Sequence, residues 1–126
     1  MDDLLKDFID ETESGLLALE DSLKSLEESP HNQEALFNAF RIMHTLKGSS
    51  RFLKFSRLEG VSHEAENLLS TFRDKKKEAS RESLDPIYET IETIKDILTF
   101  LEIKGREPKG EDSELKDRLR RAYKDK

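Results

Sequence analysis

The sequence predicts an all-α fold: an antiparallel up-down-up-down four-helix bundle, followed by a candidate short fifth helix. Three observations carry this. Apolar residues recur at alternating spacings of three and four in four separate stretches, with no strand-like alternation among them. The stretches are separated by breaks at Ser29-Pro30-His31-Asn32, near Ser56, and ahead of Asp85-Pro86. Pro and Gly are scarce, at 3 and 5 of 126 residues, while Glu, Lys and Leu abound, which favours helices over other structure.

The first helix is expected over residues 3–28. Leu5, Ile9, Thr12, Leu16, Leu19, Leu23 and Leu26 give it the seam of a bundle helix. Pro30 cannot continue it, and Asn32 is a good cap for the next helix. The second runs from about Gln33 to Arg51, with Leu36, Phe37, Ala39, Phe40, Met43, Leu46 and Ser50 as a broad inner face. Phe52-Leu53-Lys54-Phe55 is expected to pack its exit, and Ser56 to cap the third helix. That helix spans about Arg57 to Lys76, with Leu58, Val61, Ala65, Leu68 and Phe72 inward. Beside them runs a polar stripe of Glu59, His63 and Glu66, and Lys75-Lys76-Lys77 suits the C-terminal dipole. The fourth helix starts near Asp85-Pro86, a cap followed by Pro at the first helical position, and ends near Lys104-Gly105. Leu84, Ile87, Ile91, Ile94, Leu98 and Leu101 mark its seam. Residues 1–104 thus read as one four-helix domain, and residues 105–126 as a linker and a short charged helix capped by Ser113. The sequence leaves open whether that helix docks or begins a tether to further domains.

Bulk properties exclude several classes. A chain of 126 residues is one domain by size. It has no Cys, hence neither disulfides nor thiol chemistry. No stretch approaches the roughly 20 apolar residues of a membrane span. The acidic start, Met1-Asp2-Asp3, is no signal peptide, so a cytoplasmic location is expected. Charged residues are 40% of the chain and the net charge is -6, a poor balance for a general nucleic-acid binder.

The chemistry concentrates at residues 40–53. Phe40, Met43, Leu46 and Ser50 share one helix face, and His44 lies at its edge. Lys47 and Gly48 follow His44 at i+3 and i+4, one turn on. Gly costs about 1 kcal/mol in a helix interior against Ala, and here it removes bulk beside the imidazole. Between Glu34 and Glu59 there is no acidic residue, whereas Arg41, Lys47, Arg51, Lys54 and Arg57 all fall there. This local inversion of sign is expected to steer an anion or acidic partner toward His44. An exposed His on a helix by itself usually carries no function; these neighbours make this one a candidate. Ser49 and Ser50 read as small packing residues, and His31 as a loop residue.

His44-Thr45-Leu46-Lys47-Gly48-Ser49-Ser50 resembles the H-x-[LI]-K-G-[SAG]-[SAG] signature of histidine phosphotransfer domains. The wider context, from Phe8-Ile9-Asp10-Glu11 to Glu66-Asn67-Leu68-Leu69, is similar to the amino-terminal domain of chemotaxis-type histidine kinases. The resemblance covers roughly the first hundred residues. It implies that His44 accepts a phosphoryl group at Nε2, Glu66 orients the imidazole, Lys47 offsets phosphoryl charge, Gly48 gives access, and His63 is a further polar residue near the site. It also implies two partners: the ATP-binding domain of a histidine kinase, and the receiver domain of a response regulator. Many relatives have Gly where this chain has Lys54, so the turn leaving the second helix is expected to be built differently.

The chain lacks a Gly-rich phosphate loop and any nucleotide-binding signature. It is therefore expected to hold no cofactor and no metal, to take its phosphoryl group from ATP and Mg held by the kinase partner, and to be monomeric in isolation. The alternatives are a free-standing phosphorelay protein, the dimeric phosphoacceptor hairpin of ordinary sensor kinases, a scaffolding bundle in which His44 is incidental, and a metal site on His63, Glu59 and Glu66. A hairpin usually has an acidic residue after its His and a Pro later, where Thr45 and Gly48 stand here.

Overall fold

Helix α1 (Asp3–Glu28) opens at Asp2, whose carboxylate accepts the Leu4 N–H and satisfies one of the first-turn donors that have no intrahelical partner. The expected seam is buried, joined by Phe8 and Ser22. Helix α2 (Gln33–Phe52) opens at Asn32, which accepts from Ala35 N–H at 3.1 Å. Then come α3 (Ser56–Arg73), α4 (Arg81–Lys104) and α5 (Ser113–Lys124). The structure is a computed structural model, and residues 2–124 of it are described; there are five helices and no strand among them. Met1, Asp125 and Lys126, the outer ends of the two expected segments, lie outside the described residues.

Each of the first four helices packs on its chain neighbour, and α1 closes on α4, so the four form a ring around one core. Helix α3 is covered by α2, α4 and α5 together. Its buried set is therefore wider than a single stripe: Ser62, Glu64, Glu66 and Leu69 join the expected apolar positions. Helix α5 buries Leu115 and Leu119 against this assembly, so the short helix is docked.

Several boundaries differ from the sequence expectation, each for a local reason. On α2, Phe37 is 55% exposed and Phe40 half-buried, so the inner face is narrower and consists of Ala35, Leu36, Ala39, Met43, Leu46 and Ser50. Phe52 is 77% exposed and does not pack the exit. Phe55 does: its ring lies 5.4 Å from that of Phe8 on α1. Helix α4 begins four residues before Asp85, because Ser80 caps it by accepting Ser83 N–H at 3.2 Å. Pro86 then falls in the second turn, where its missing N–H leaves the Glu82 carbonyl without its usual helical donor. Burial of Leu84 and Ala79 holds the earlier start in place. Helix α3 stops at Arg73, before the three lysines, because Lys75 adopts φ 62° and closes the helix with Lys75 N–H to Phe72 O and Lys76 N–H to Thr71 O, both 3.0 Å.

The same closure ends α2. Phe55 N–H reaches Ser50 O at 2.8 Å and Lys54 N–H reaches Arg51 O at 3.1 Å, a Schellman motif whose left-handed residue is Lys54, at φ 65°. The turn is therefore built as a Gly turn is built, with Lys accepting the positive φ, contrary to the expectation of a different geometry. A Cβ in this region costs about 1–2 kcal/mol, partly offset by the chain entropy that Gly adds to the unfolded state. Lys54→Gly is accordingly expected to raise stability by about 0.5–1 kcal/mol in urea denaturation.

Ser56 is not the cap of α3 but its first residue, and the residue before it, Phe55, makes no side-chain cap bond. The cap comes from far along the chain. Glu107 accepts Arg57 N–H at 3.0 Å and Leu58 N–H at 2.9 Å, one through each carboxylate oxygen. The Arg57 guanidinium then holds the rest of the connection: it donates to both oxygens of Asp112, at 2.6 and 2.8 Å, and to the carbonyls of Pro108 and Lys109. Likewise Ser113 is the first residue of α5, preceded by Asp112 at φ 54°. Glu107→Ala is expected to lower stability by about 1–2 kcal/mol, the value of an acidic cap serving two donors, with Glu107→Gln losing less. Paired urea melts of the two variants check this.

Candidate functional site

The second and third helices bring three of the predicted residues into one cluster. Glu66 sits mid-way along α3, its side chain only 8% exposed. One carboxylate oxygen is bonded to Nδ1 of His44, and the other accepts from Lys47 Nζ at 2.7 Å. The i, i+3 spacing of His44 and Lys47 on α2 sets both over α3, where Glu66 bridges them. The His44 side chain stays 62% exposed, and that of Lys47 28%.

The electrostatics assign the protons. Burial pushes the Glu66 carboxyl upward, but the hydrogen bonds from Lys47 and His44 outweigh it and hold the group below the ordinary carboxyl value. Glu66 is therefore an anion near neutral pH and can only accept. Nδ1 of His44 must be the donor, which leaves the Nε2 lone pair of the neutral ring free on the exposed side. Access is open as well: a Cβ placed on Gly48 would meet nothing within 4 Å. Next to the imidazole, Phe40 lies nearly parallel at 5.9 Å between ring centroids and 16° between planes.

His63 is exposed and makes no hydrogen bond or ion pair among the described residues. Glu59 lies 3.8 Å from Arg51, and both oxygens of Glu66 are taken, so His63, Glu59 and Glu66 do not converge as ligands. No group of three or more His, Cys, Asp or Glu able to hold a metal occurs among the described residues. Ser50 is fully buried, and its hydroxyl has no hydrogen-bond partner among the described residues.

The basic stretch looks different in three dimensions. Arg57 is bound to Asp112 and Lys47 to Glu66, and Arg51 is near Glu59. Only Arg41 and Lys54 of the five cations have no ion pair among the described residues. The acidic partners come from outside the window of sequence that lacks them, so the local positive field is weaker than the sequence suggests. Sequence reasoning also missed Phe40 as a neighbour of His44, though their i, i+4 spacing was a usable signal.

The family model for the Hpt domain matches residues 3–122. The chain belongs to the histidine phosphotransfer (Hpt) domain family. As an Hpt domain it is similar to the chemotaxis protein CheA of Borreliella burgdorferi, with 32% identity over 119 residues, which are 94% of this chain and 14% of that protein. The chain thus spans a small part of the length of this relative. Among solved structures, the histidine phosphotransfer domain of CheA superposes with a TM-score of 0.87 at 30% identity, covering 96% of this Hpt domain and 92% of that one. The phosphorylated P1 domain of CheA3, solved in complex with CheY6 from R. sphaeroides, gives 0.85 at 29%, covering 95% and 94%. This Hpt domain is similar to the phosphotransfer domains of CheA proteins. No helix among its described residues is long and apolar enough to cross a membrane.

Proposed function

We propose that His44 is the phosphoacceptor of this Hpt domain, working in the cytoplasm between the ATP-binding domain of a histidine kinase and a response-regulator receiver. The observation that carries this is the bond from His44 Nδ1 to a buried, ionised Glu66, which leaves Nε2 outward. The Nε2 lone pair attacks the γ-phosphorus of ATP, the bond from phosphorus to the bridging oxygen breaks, and ADP leaves. ATP and its Mg are held by the kinase partner. The ring keeps its Nδ1 proton and gains positive charge, which the Glu66 carboxylate stabilises. Lys47, bonded to Glu66 at 2.7 Å, offsets phosphoryl charge from the adjacent turn. Gly48 leaves the neighbouring surface open, and His63 stands one turn before Glu66 on α3. In the second step a receiver aspartate attacks phosphorus, the P–N bond breaks, and the pair returns to Nε2.

The outer side of α2 fits a protein partner. Phe37, Arg41, His44, Gly48 and Phe52 follow one another at spacings of three and four, all exposed. The likeness to a P1 domain solved with CheY6 supports a receiver as one occupant. The kinase partner rests on the similarity to CheA.

The test separates chemistry from docking. The domain is treated with phosphoramidate, in which the P–N bond breaks and ammonia leaves, and the product is located by NMR. One acid-labile, alkali-stable phosphoryl group on His44 is expected. Equal labelling of His31, His44 and His63, or none, would overturn the assignment. A scan of receiver domains with the phosphorylated chain then identifies the acceptor.

A further inference from the structure

We infer that Phe40 and Arg73 are positioning residues that fix the plane of the His44 ring. This rests on the reading of His44 as the phosphoacceptor. Glu66 pins one nitrogen, but a hydrogen bond restrains distance better than tilt, and bends of about 30° are cheap. Nε2 lies across the ring from the pinned nitrogen, so such a tilt moves it by about 1 Å, a displacement that can cost on the order of 100-fold in rate. A second restraint, on the ring plane, is needed to aim Nε2.

Phe40 supplies it. It stands one turn before His44 on α2 and lies flat to it, 16° between planes. It is only half-buried, unlike the core residues Leu36, Ala39, Met43 and Leu46 of the same helix, so its place is not explained by core packing alone. From α3, the Arg73 guanidinium covers the Phe40 ring at 4.2 Å from its centroid. Arg73 is itself held, donating from Nε to Asp74 at 3.2 Å and from Nη2 to Ser70 Oγ at 3.3 Å. Arg73 lies two turns beyond Glu66 on the same helix. One helix therefore holds the ring nitrogen directly and steadies the aromatic plate beside it.

The experiment measures phosphoramidate labelling of His44 in the wild type, Phe40→Leu, Phe40→Tyr and Arg73→Gln, with side-chain NMR of each. Phe40→Leu is expected to slow labelling about 10-fold at saturating donor, with the half-saturating donor concentration unchanged, and Arg73→Gln about 3-fold. Phe40→Tyr, which keeps a flat ring, restores most of the rate. The Nδ1-protonated tautomer persists in all four proteins, because Glu66 is untouched, while the His44 ring resonances shift in Phe40→Leu and not in Phe40→Tyr. A wild-type rate in folded Phe40→Leu, or Tyr performing no better than Leu, would overturn the inference. If wild-type His44 is not labelled at all, the phosphoacceptor reading falls separately, and the ring resonances still decide whether Phe40 holds the imidazole: no change in Phe40→Leu overturns that too.

Discussion

His44→Gln is expected to abolish phosphoryl acceptance, by at least about 10³-fold, while the far-ultraviolet circular dichroism and melting temperature stay near those of the wild type. Both halves follow from the geometry. The reacting nitrogen has no counterpart in Gln, whose amide nitrogen has no nucleophilic lone pair. The side chain is mostly exposed, and its structural contributions are a bond to Glu66 that a Gln amide can also donate and a face turned to Phe40. The change in stability should stay within about 0.5 kcal/mol. A larger loss would make His44 a packing residue; labelling that survives would move the phosphoryl group elsewhere. The measurement is phosphoryl incorporation from phosphoramidate and from a CheA-type kinase domain with ATP, beside a thermal melt.

Glu66→Ala is expected to have the next largest effect, slowing phosphoryl acceptance about 10–100-fold without eliminating it. The imidazole would lose its anchor and could adopt the other tautomer, with Nε2 protonated and unable to attack. Lys47→Ala should cost less, because Glu66 keeps its bond to His44. Glu66 also leaves a signature in acid. Its folded-state carboxyl value is depressed by Lys47 and His44 in spite of burial. The folded chain thus binds fewer protons than the unfolded chain once pH drops toward the ordinary carboxyl value of about 4.3. Stability from this group is full above that pH and is lost as pH falls through the folded-state value. The gap in unfolding free energy between wild type and Glu66→Ala should accordingly close as pH falls below the ordinary carboxyl value. A gap independent of pH would mean that the Glu66 carboxyl is not held below its ordinary value, and a gap that widens as pH falls would mean that it is raised.

Much of this was legible in the sequence because it is local. The helices follow from apolar spacing, and the pairing of His44 with Lys47 from the 3.6-residue turn. Glu66 came from the family resemblance, since 22 residues separate it from His44. What the sequence hid depends on contacts across still longer separations. The Glu107 cap lies 50 residues from Arg57. Glu64 is bonded by Tyr123, Arg120 and Asn67, two of them on α5, and nothing in its own neighbourhood marks it. The start of α4 was misplaced for another reason: Ser80 and Asp85 are both good caps, and the apolar residues Ala79 and Leu84, upstream of the Pro, decided between them. The basic window misled because charge along the chain is not charge in space; Asp112 and Glu66 fold onto it.

The unequal covering of the helices has a kinetic consequence. Helix α3 is packed by three others and capped by a carboxylate from beyond α4, whereas α2 keeps its outer side open. In amide hydrogen exchange, the middle of α3 should be released only by global opening, and the 105–112 segment and last turn of α5 by cheaper local openings. Glu66, the carboxylate bonded to the imidazole, then belongs to the slowest-exchanging part of the molecule. Brief fraying at the C-terminal end, or jostling as one partner leaves and another arrives, would pass without disturbing the register between Glu66 and His44.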